Sequence, residues 1–305
     1  MWEKRNGERM RMDQQEQLRL YEALYDAKYD EHRVSRREAW NHRAGEWDRK
    51  YREENEREQH EVRIRDTAAW LRSRGLLTAE QDVADVGCGP GRYVAEFAKT
   101  ARSVLGTDIS AEMTGYGEAW CRELGLTNTS FHALDFRNAD IRELGWEGKF
   151  DLAYSSITPA LSGLKGLDNF IRMSRAWCFN ASFVYSVNEL HSAIMHELFD
   201  REPRRNKTSH SHWFHELFNV LWLRGYYPEC SYYKQQKELN LPADRATAER
   251  LTYFLLEEGE VTEENTRRIL HFLEQQADGD GFVRESSDCW YGWLLWDVRD
   301  RHERR

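Results

Sequence analysis

The run Asp85-Val86-Gly87-Cys88-Gly89-Pro90-Gly91-Arg92 follows a short apolar stretch and precedes the helix-forming segment YVAEFAKTA. Glycines at alternate positions permit positive φ and let backbone N–H groups approach a ligand with no Cβ in the way. A glycine loop joining strand to helix narrows the fold to α/β architectures. The segments that follow keep the same alternation. SVLGTDI reads as a strand, residues 111–124 as a helix, and SFHALDF and FDLAYSSI as further strands. A helix over LDNFIRMSRAWC then leads to a strand over ASFVYSVN. Strands separated by helices of this length predict parallel pairing through right-handed crossovers.

The flanks differ in texture. Residues 1–66 are dense in Arg, Glu and Gln and contain no proline, which predicts helices whose first turns fray. Trp40, Ala44, Trp47 and Tyr51 recur at helical spacing and share one face. Beyond residue 190, HELFNVLWLRGYY predicts a helix closed at Gly225 and ECSYYKQQ a strand. Residues 243–276 predict two amphipathic helices, and CWYGWLLWDV a strongly apolar last strand. The expected organisation is an N-terminal helical extension over 1–66 and one domain over 67–305 with helical insertions near 190–224 and 243–276. The extension and both insertions are expected to form a lid over the carboxyl edge of the sheet.

Composition removes several classes. A net charge of −9, from 53 acidic against 44 basic residues, disfavours a surface devoted to nucleic acid. The 5 cysteines are scattered and form no Cys-x-x-Cys pair, as in a reducing compartment. No stretch approaches the ~20 apolar residues of a membrane span, so a cytoplasmic location is expected. The charged runs REENEREQHE and RDRHERR read as solvated helix faces. The 12 tryptophans and 14 tyrosines serve either core packing or a cavity walled by aromatic faces.

Two residues separate this loop from one that cradles a pyrophosphate. Arg92 stands where the dinucleotide pattern places its third glycine, and the Asp85 carboxylate repels phosphate while suiting a cationic ligand. Asp108 ends the strand SVLGTDI, where its carboxylate can accept from two ribose hydroxyls or cap the next helix. Asp135 and Phe136 end the third strand, placed to meet an adenine amino group and cover the base.

DVGCGPGRYV, GTDISAEM, ALDF and FDLAYSSI together resemble motif I and the following strand-end motifs of class I S-adenosylmethionine (SAM)-dependent methyltransferases, over about residues 67–190. The resemblance implies a Rossmann-like sheet of seven strands, mostly parallel with an antiparallel last strand, and SAM as cofactor. It places Gly87, Gly89 and Gly91 along the methionine portion, with Asp85, Cys88 and Tyr93 beside them. Asp108 takes the ribose, Ile109 and Met113 flank the adenine, Asp135 and Phe136 complete its pocket, and Ser155 lies near the reacting methyl. The helix WNHRAGEWDRKY also resembles the segment before motif I in methyltransferases of the quinone-biosynthesis type, where an aromatic residue folds over the cofactor. Trp47 is the candidate, with Trp40 beside it toward the substrate.

A methyl acceptor that must lose a proton calls for a base, and His191, His196, His210, His212 and His215 follow the fifth strand. His191 and His210 are the substrate-side candidates. The spacing of His210, His212 and His215 matches no zinc pattern, and no metal is expected. Ser155-Ser156-Ile157-Thr158-Pro159-Ala160 replaces the Asn/Asp-Pro-Pro-Tyr motif of enzymes that methylate exocyclic amines, so a small organic acceptor is expected. A protein or RNA methyltransferase, a nicotinamide-dependent oxidoreductase and a non-catalytic SAM-binding regulator stay open.

Overall fold

The computed structural model describes residues 13–27, 37–38, 40–41, 44–45, 48, 54–201 and 210–302, without the side chains of 54–60, 210–212 and 258. Strands β1 (Asp82–Val86), β2 (Ser103–Asp108), β3 (Thr129–Ala133), β4 (Phe150–Ser156), β5 (Ser174–Asn188), β6 (Glu229–Pro242) and β7 (Phe282–Asp297) form a single sheet. Its order is β3-β2-β1-β4-β5-β7-β6. The first five strands are parallel, and β7 runs antiparallel between β5 and β6. The chain therefore reverses its direction of growth at β1, and the crevice beside β1 and β4 is where open α/β sheets bind ligands.

The expected strands are all present, and three are longer than their sequence signals. The helix read through Cys178 stops at Met173, because Ser174 turns into the extended region and Trp177 and Cys178 join both neighbouring strands. β6 continues past Gln236 to Pro242, paired residue by residue with the start of β7.

Successive strand residues serve opposite cores. On one face Leu152, Tyr154, Phe179, Trp293 and Leu295 pack against helices α2 (Glu54–Ser73) and α3 (Arg92–Ala98). Tyr154 stacks on Phe179 at 5.2 Å and meets Phe97 edge-on at 4.8 Å. On the other face Ala153, Cys178, Leu294 and Trp296 pack against α1 (Gln14–Ala27), α5 (Leu164–Met173) and α7 (His210–Leu223). Gly292, an outlier in the apolar run of β7, lets α7 sit on the sheet: a Cβ there would lie 2.4 Å from the Phe214 ring.

Tyr25 of α1 is buried, donates to the Leu161 carbonyl at 2.6 Å and stacks on Trp213 of α7. Both helices thus pack on one face of the sheet, with α1 held to the turn that follows the carboxyl end of β4. A separate apolar cluster joins α6 (Glu189–Phe199) to α8 (Arg245–Leu255) and α9 (Glu263–Gln276), through Ile194, Leu251, Ile269 and Leu273. These helices extend from the carboxyl end of β5 and from the far end of the β6–β7 ribbon.

Candidate functional site

A cavity of about 410 Å³ opens at the carboxyl ends of β1, β2 and β4. The glycine loop forms its floor. Gly87 and Cys88 both donate to the Thr107 carbonyl, at 2.8 and 2.9 Å, which bends the chain back over β2. Gly87 adopts φ +73° and lies so close to the β4 loop that a Cβ would fall 2.0 Å from Thr158 Oγ1. Gly89, at φ +52°, faces open space and lines the cavity.

Asp85 and Asp108 give the floor its charge. Asp85 is 2 % exposed and its Oδ2 has no hydrogen-bond partner. Burial, and secondarily the nearby Asp108, push its carboxyl well above the usual carboxylate range. Asp108 accepts from the Gly89 N–H on one oxygen and from the Ser110 N–H on the other, both at 3.0 Å. Burial raises the Asp108 carboxyl, and these backbone donors hold it back. The Cys88 thiol is likewise pushed well up, first by burial and then by the two carboxylates, which keeps it a thiol.

Ile109 and Met113 enter from α4 (Ala111–Glu123) and the turn before it, where Ser110 caps the helix by accepting from Met113 N. Asp135 and Phe136 stand at the end of β3, with Phe136 buried. The Asp135 carboxylate caps a short 3-10 turn, accepting from Arg137 N at 3.3 Å and Asn138 Nδ2 at 2.8 Å.

The opposite wall comes from distant parts of the chain. Ile157, directly after β4, lines the cavity at φ +50°, a left-handed conformation costly for a β-branched residue, and its N–H donates to the Ala181 carbonyl at 2.8 Å. Phe183 of β5 meets Tyr291 of β7 edge-on at 6.0 Å. The Arg63 guanidinium of α2 lies 4.7 Å over the Tyr291 ring, and Lys237 of β6 completes this side.

A family model described as a methyltransferase domain matches residues 83–176, the span from β1 to the start of β5. Residues 83–176 carry a methyltransferase domain. Over 49 residues the chain is 43% identical to the ubiquinone biosynthesis O-methyltransferase of Methylococcus capsulatus. That alignment covers 16% of this chain and 21% of the relative, so the chain matches about a fifth of the relative's length. Among solved structures, magnesium protoporphyrin IX methyltransferase from Synechocystis with bound S-adenosylhomocysteine is 19% identical at a TM-score of 0.48, covering 65% of this chain and 90% of that one. A SAM-dependent methyltransferase from Aquifex aeolicus is 13% identical at 0.41, covering 78% and 97%.

The cofactor of such a domain is SAM, and the residues present fit it. An unpartnered, buried carboxyl at Asp85 suits a cation, and the open side of Gly89 leaves room for a ligand against the backbone. Of the residues singled out from sequence, the methyltransferase domain brings Asp85, Gly87, Cys88, Gly89, Tyr93, Asp108, Ile109, Met113, Asp135 and Phe136 to one cavity, and Trp40 joins them. Three others stand elsewhere. Gly91 packs instead of lining: a Cβ there would lie 2.9 Å from both Gly117 Cα and the Phe131 ring. Ser155 is fully buried beside Asn180, 3.4 Å from its Nδ2, and the next residue, Ser156, faces the cavity. His191 is held at 3.0 Å by Glu285. Burial raises the Glu285 carboxyl, but the hydrogen bonds from His191 and Asn188 outweigh it and leave that carboxyl below its ordinary value.

Trp47 and the His210 side chain lie outside the described residues. No histidine lines the cavity among the described residues, and no group of three potential ligands there is placed to hold a metal. Motif reading missed Arg63, Phe183, Lys237 and Tyr291. Only Phe183 and Tyr291 carried any signal, as members of apolar strands.

Proposed function

We propose that the chain transfers a methyl group from SAM to a small organic acceptor that enters beside the ends of β4, β5 and β7. The observation that carries this reading is continuity: one cavity joins the Asp85–Gly89–Asp108 floor to a wall of Phe183, Tyr291 and Lys237. Its volume, about 410 Å³, is in the range of pockets for small molecules.

Bound SAM supplies a methyl group already activated on a sulfonium. The protein's share is alignment and exclusion of water. Asp85 offers its carboxylate to the cationic end of the cofactor, and Asp108 holds the Gly89 N–H and with it the loop's shape. Residual acceptor capacity on the Asp108 carboxylate serves the ribose hydroxyls, since a carboxylate takes about four hydrogen bonds. Met113 and Ile109 supply apolar faces for adenine, with Phe136 behind them. Ile157 and Thr158, between the two halves of the cavity, position the acceptor. Burial pushes the Tyr291 hydroxyl up to about 12, so it acts as a hydrogen-bonding phenol.

The acidic balance of the chain and the Ser-Ile-Thr-Pro sequence after β4 favour a metabolite over nucleic acid or protein. No helix among the described residues is long and apolar enough to cross a membrane, and the five cysteines are free thiols, so we place the enzyme in the cytoplasm. Incubation with methyl-labelled SAM and, separately, a metabolite extract, total RNA and total protein tests the reading. Label in the small-molecule fraction is expected. Label confined to macromolecules would overturn it.

A further inference from the structure

Charge in the cavity follows the strand order. The carboxylates of Asp135, Asp108 and Asp85 stand at the ends of β3, β2 and β1. Arg137 shares that end, and its Nε lies 3.6 Å from Asp135 Oδ1. Past β4 no acidic side chain lines the cavity among the described residues, and the cations Arg63 and Lys237 do. An anionic ligand is therefore repelled from the β3–β1 half and attracted to the β5–β7–β6 half.

Register puts Lys237 there. β6 alternates between exposed and inward positions, and Tyr233, Gln235 and Lys237 share the inward side. Tyr233 stacks on Trp293 at 5.2 Å with planes 6° apart, so that side of β6 faces the aromatic core. Lys237 pairs with Ser287, four residues along β7 from Tyr291, where the core gives way to the cavity. Lys237 is half-buried as a residue and lines the cavity, where a cation attracts an anion more strongly than in open water. Phe183 and Tyr291, which line the same cavity, offer ring faces and edges.

Resting on the proposed methyl transfer, we propose that the acceptor is a small aromatic anion, its ring against Phe183 and Tyr291 and its anionic group on Lys237. Arg63, over the Tyr291 ring, bounds the same end from α2. A carboxylate and a phosphate satisfy this chemistry equally, so the recognised feature is a planar ring carrying a negative group.

The test uses the full chain saturated with S-adenosylhomocysteine and titrated by calorimetry. The probes are salicylate, 2-naphthoate and 2-naphthyl phosphate, each beside its neutral counterpart: salicylamide, 2-naphthamide and 2-naphthol. At least one anion is expected to bind tenfold or more tightly than its neutral counterpart, and the carboxylate and phosphate arms tell which group is preferred. Lys237→Gln is expected to erase that preference, Lys237→Arg to retain most of it, and both to leave S-adenosylhomocysteine affinity within about twofold. Equal binding of charged and neutral probes, no binding of either, or an unchanged preference in Lys237→Gln would overturn the inference. Failure of S-adenosylhomocysteine itself to bind would instead overturn the methyltransferase reading beneath it.

Discussion

The carboxylate of Asp48 meets the guanidinium of Arg92 at 2.6 Å, and both side chains are withdrawn from water. Arg92 opens α3 immediately after the glycine loop, and its guanidinium also lies 3.9 Å over the Trp120 ring. The residue that displaces the third glycine of the dinucleotide pattern thus ties the N-terminal segment and α4 to the junction of loop and helix. Removing one member of a buried pair leaves the other charge uncompensated, at a typical cost of about 3–5 kcal/mol. Asp48→Ala is expected to lower urea stability by about that much, and Asp48→Asn by less because it keeps a hydrogen-bond acceptor. A loss under about 0.5 kcal/mol would mean the pair is replaced by water without penalty.

The glycines of the loop divide the work. Gly91→Ala places a methyl against the Gly117 backbone and Phe131 at φ +70°, and overpacking added to left-handed strain predicts a loss of about 2–4 kcal/mol in folding stability. Gly89→Ala faces open space, so only the left-handed strain of about 1–2 kcal/mol applies to folding, while the new methyl intrudes on the cofactor. Denaturant titration with and without S-adenosylhomocysteine separates the two. Equal stability losses with equal binding would contradict the division.

Asp108 is expected to matter chiefly for binding. Asp108→Ala removes the acceptor of the Gly89 N–H together with the proposed ribose contact, and lost charge-assisted hydrogen bonds predict about 1–3 kcal/mol weaker SAM binding by calorimetry. Unchanged affinity would take Asp108 out of the site.

Asp85 predicts a pH dependence with a definite sign. Its folded carboxyl is raised above its unfolded value near 3.9, so the folded state holds the proton longer. Ligand-free stability therefore falls as pH rises from about 4 toward the raised value, and the cost of an ionised, unpaired carboxylate is fully present above it. A cationic ligand favours the ionised form, so SAM affinity is expected to increase over the same rise. Asp85→Asn should flatten both trends, stabilise the ligand-free protein at alkaline pH and weaken SAM. Calorimetry from about pH 5 to about pH 9 checks this, and a pH-independent affinity would contradict it.

The cofactor half of the cavity was legible in the sequence because each of its residues lies within a few positions of a strand end. Asp85 lies near the end of β1, Asp108 ends β2 and Asp135 stands just after β3, three short strands that local pattern identifies. The acceptor half was not, because register and long-range pairing build it. Whether Ser155 or Ser156 faces the cavity turns on a one-residue phase in β4, and strands buried on both sides give no polar alternation to set it. Lys237 reaches its place only through pairing with Ser287, a residue separated from it by α8 and α9. Trp213 and Trp296 packed into the core while Trp40 and Tyr291 lined the cavity, so the aromatic load serves both purposes. Local spacing carries no information to divide them.

Thermal denaturation of the purified full chain with SAM, S-adenosylhomocysteine, NADH or NADPH tests the cofactor assignment most directly. At roughly 100 times its dissociation constant a ligand selective for the folded state adds about 2.7 kcal/mol. Both adenosyl compounds should raise the midpoint and neither nicotinamide should. A shift with the nicotinamides alone, or with none of the four, would contradict a SAM site built on Asp85, Gly89 and Asp108.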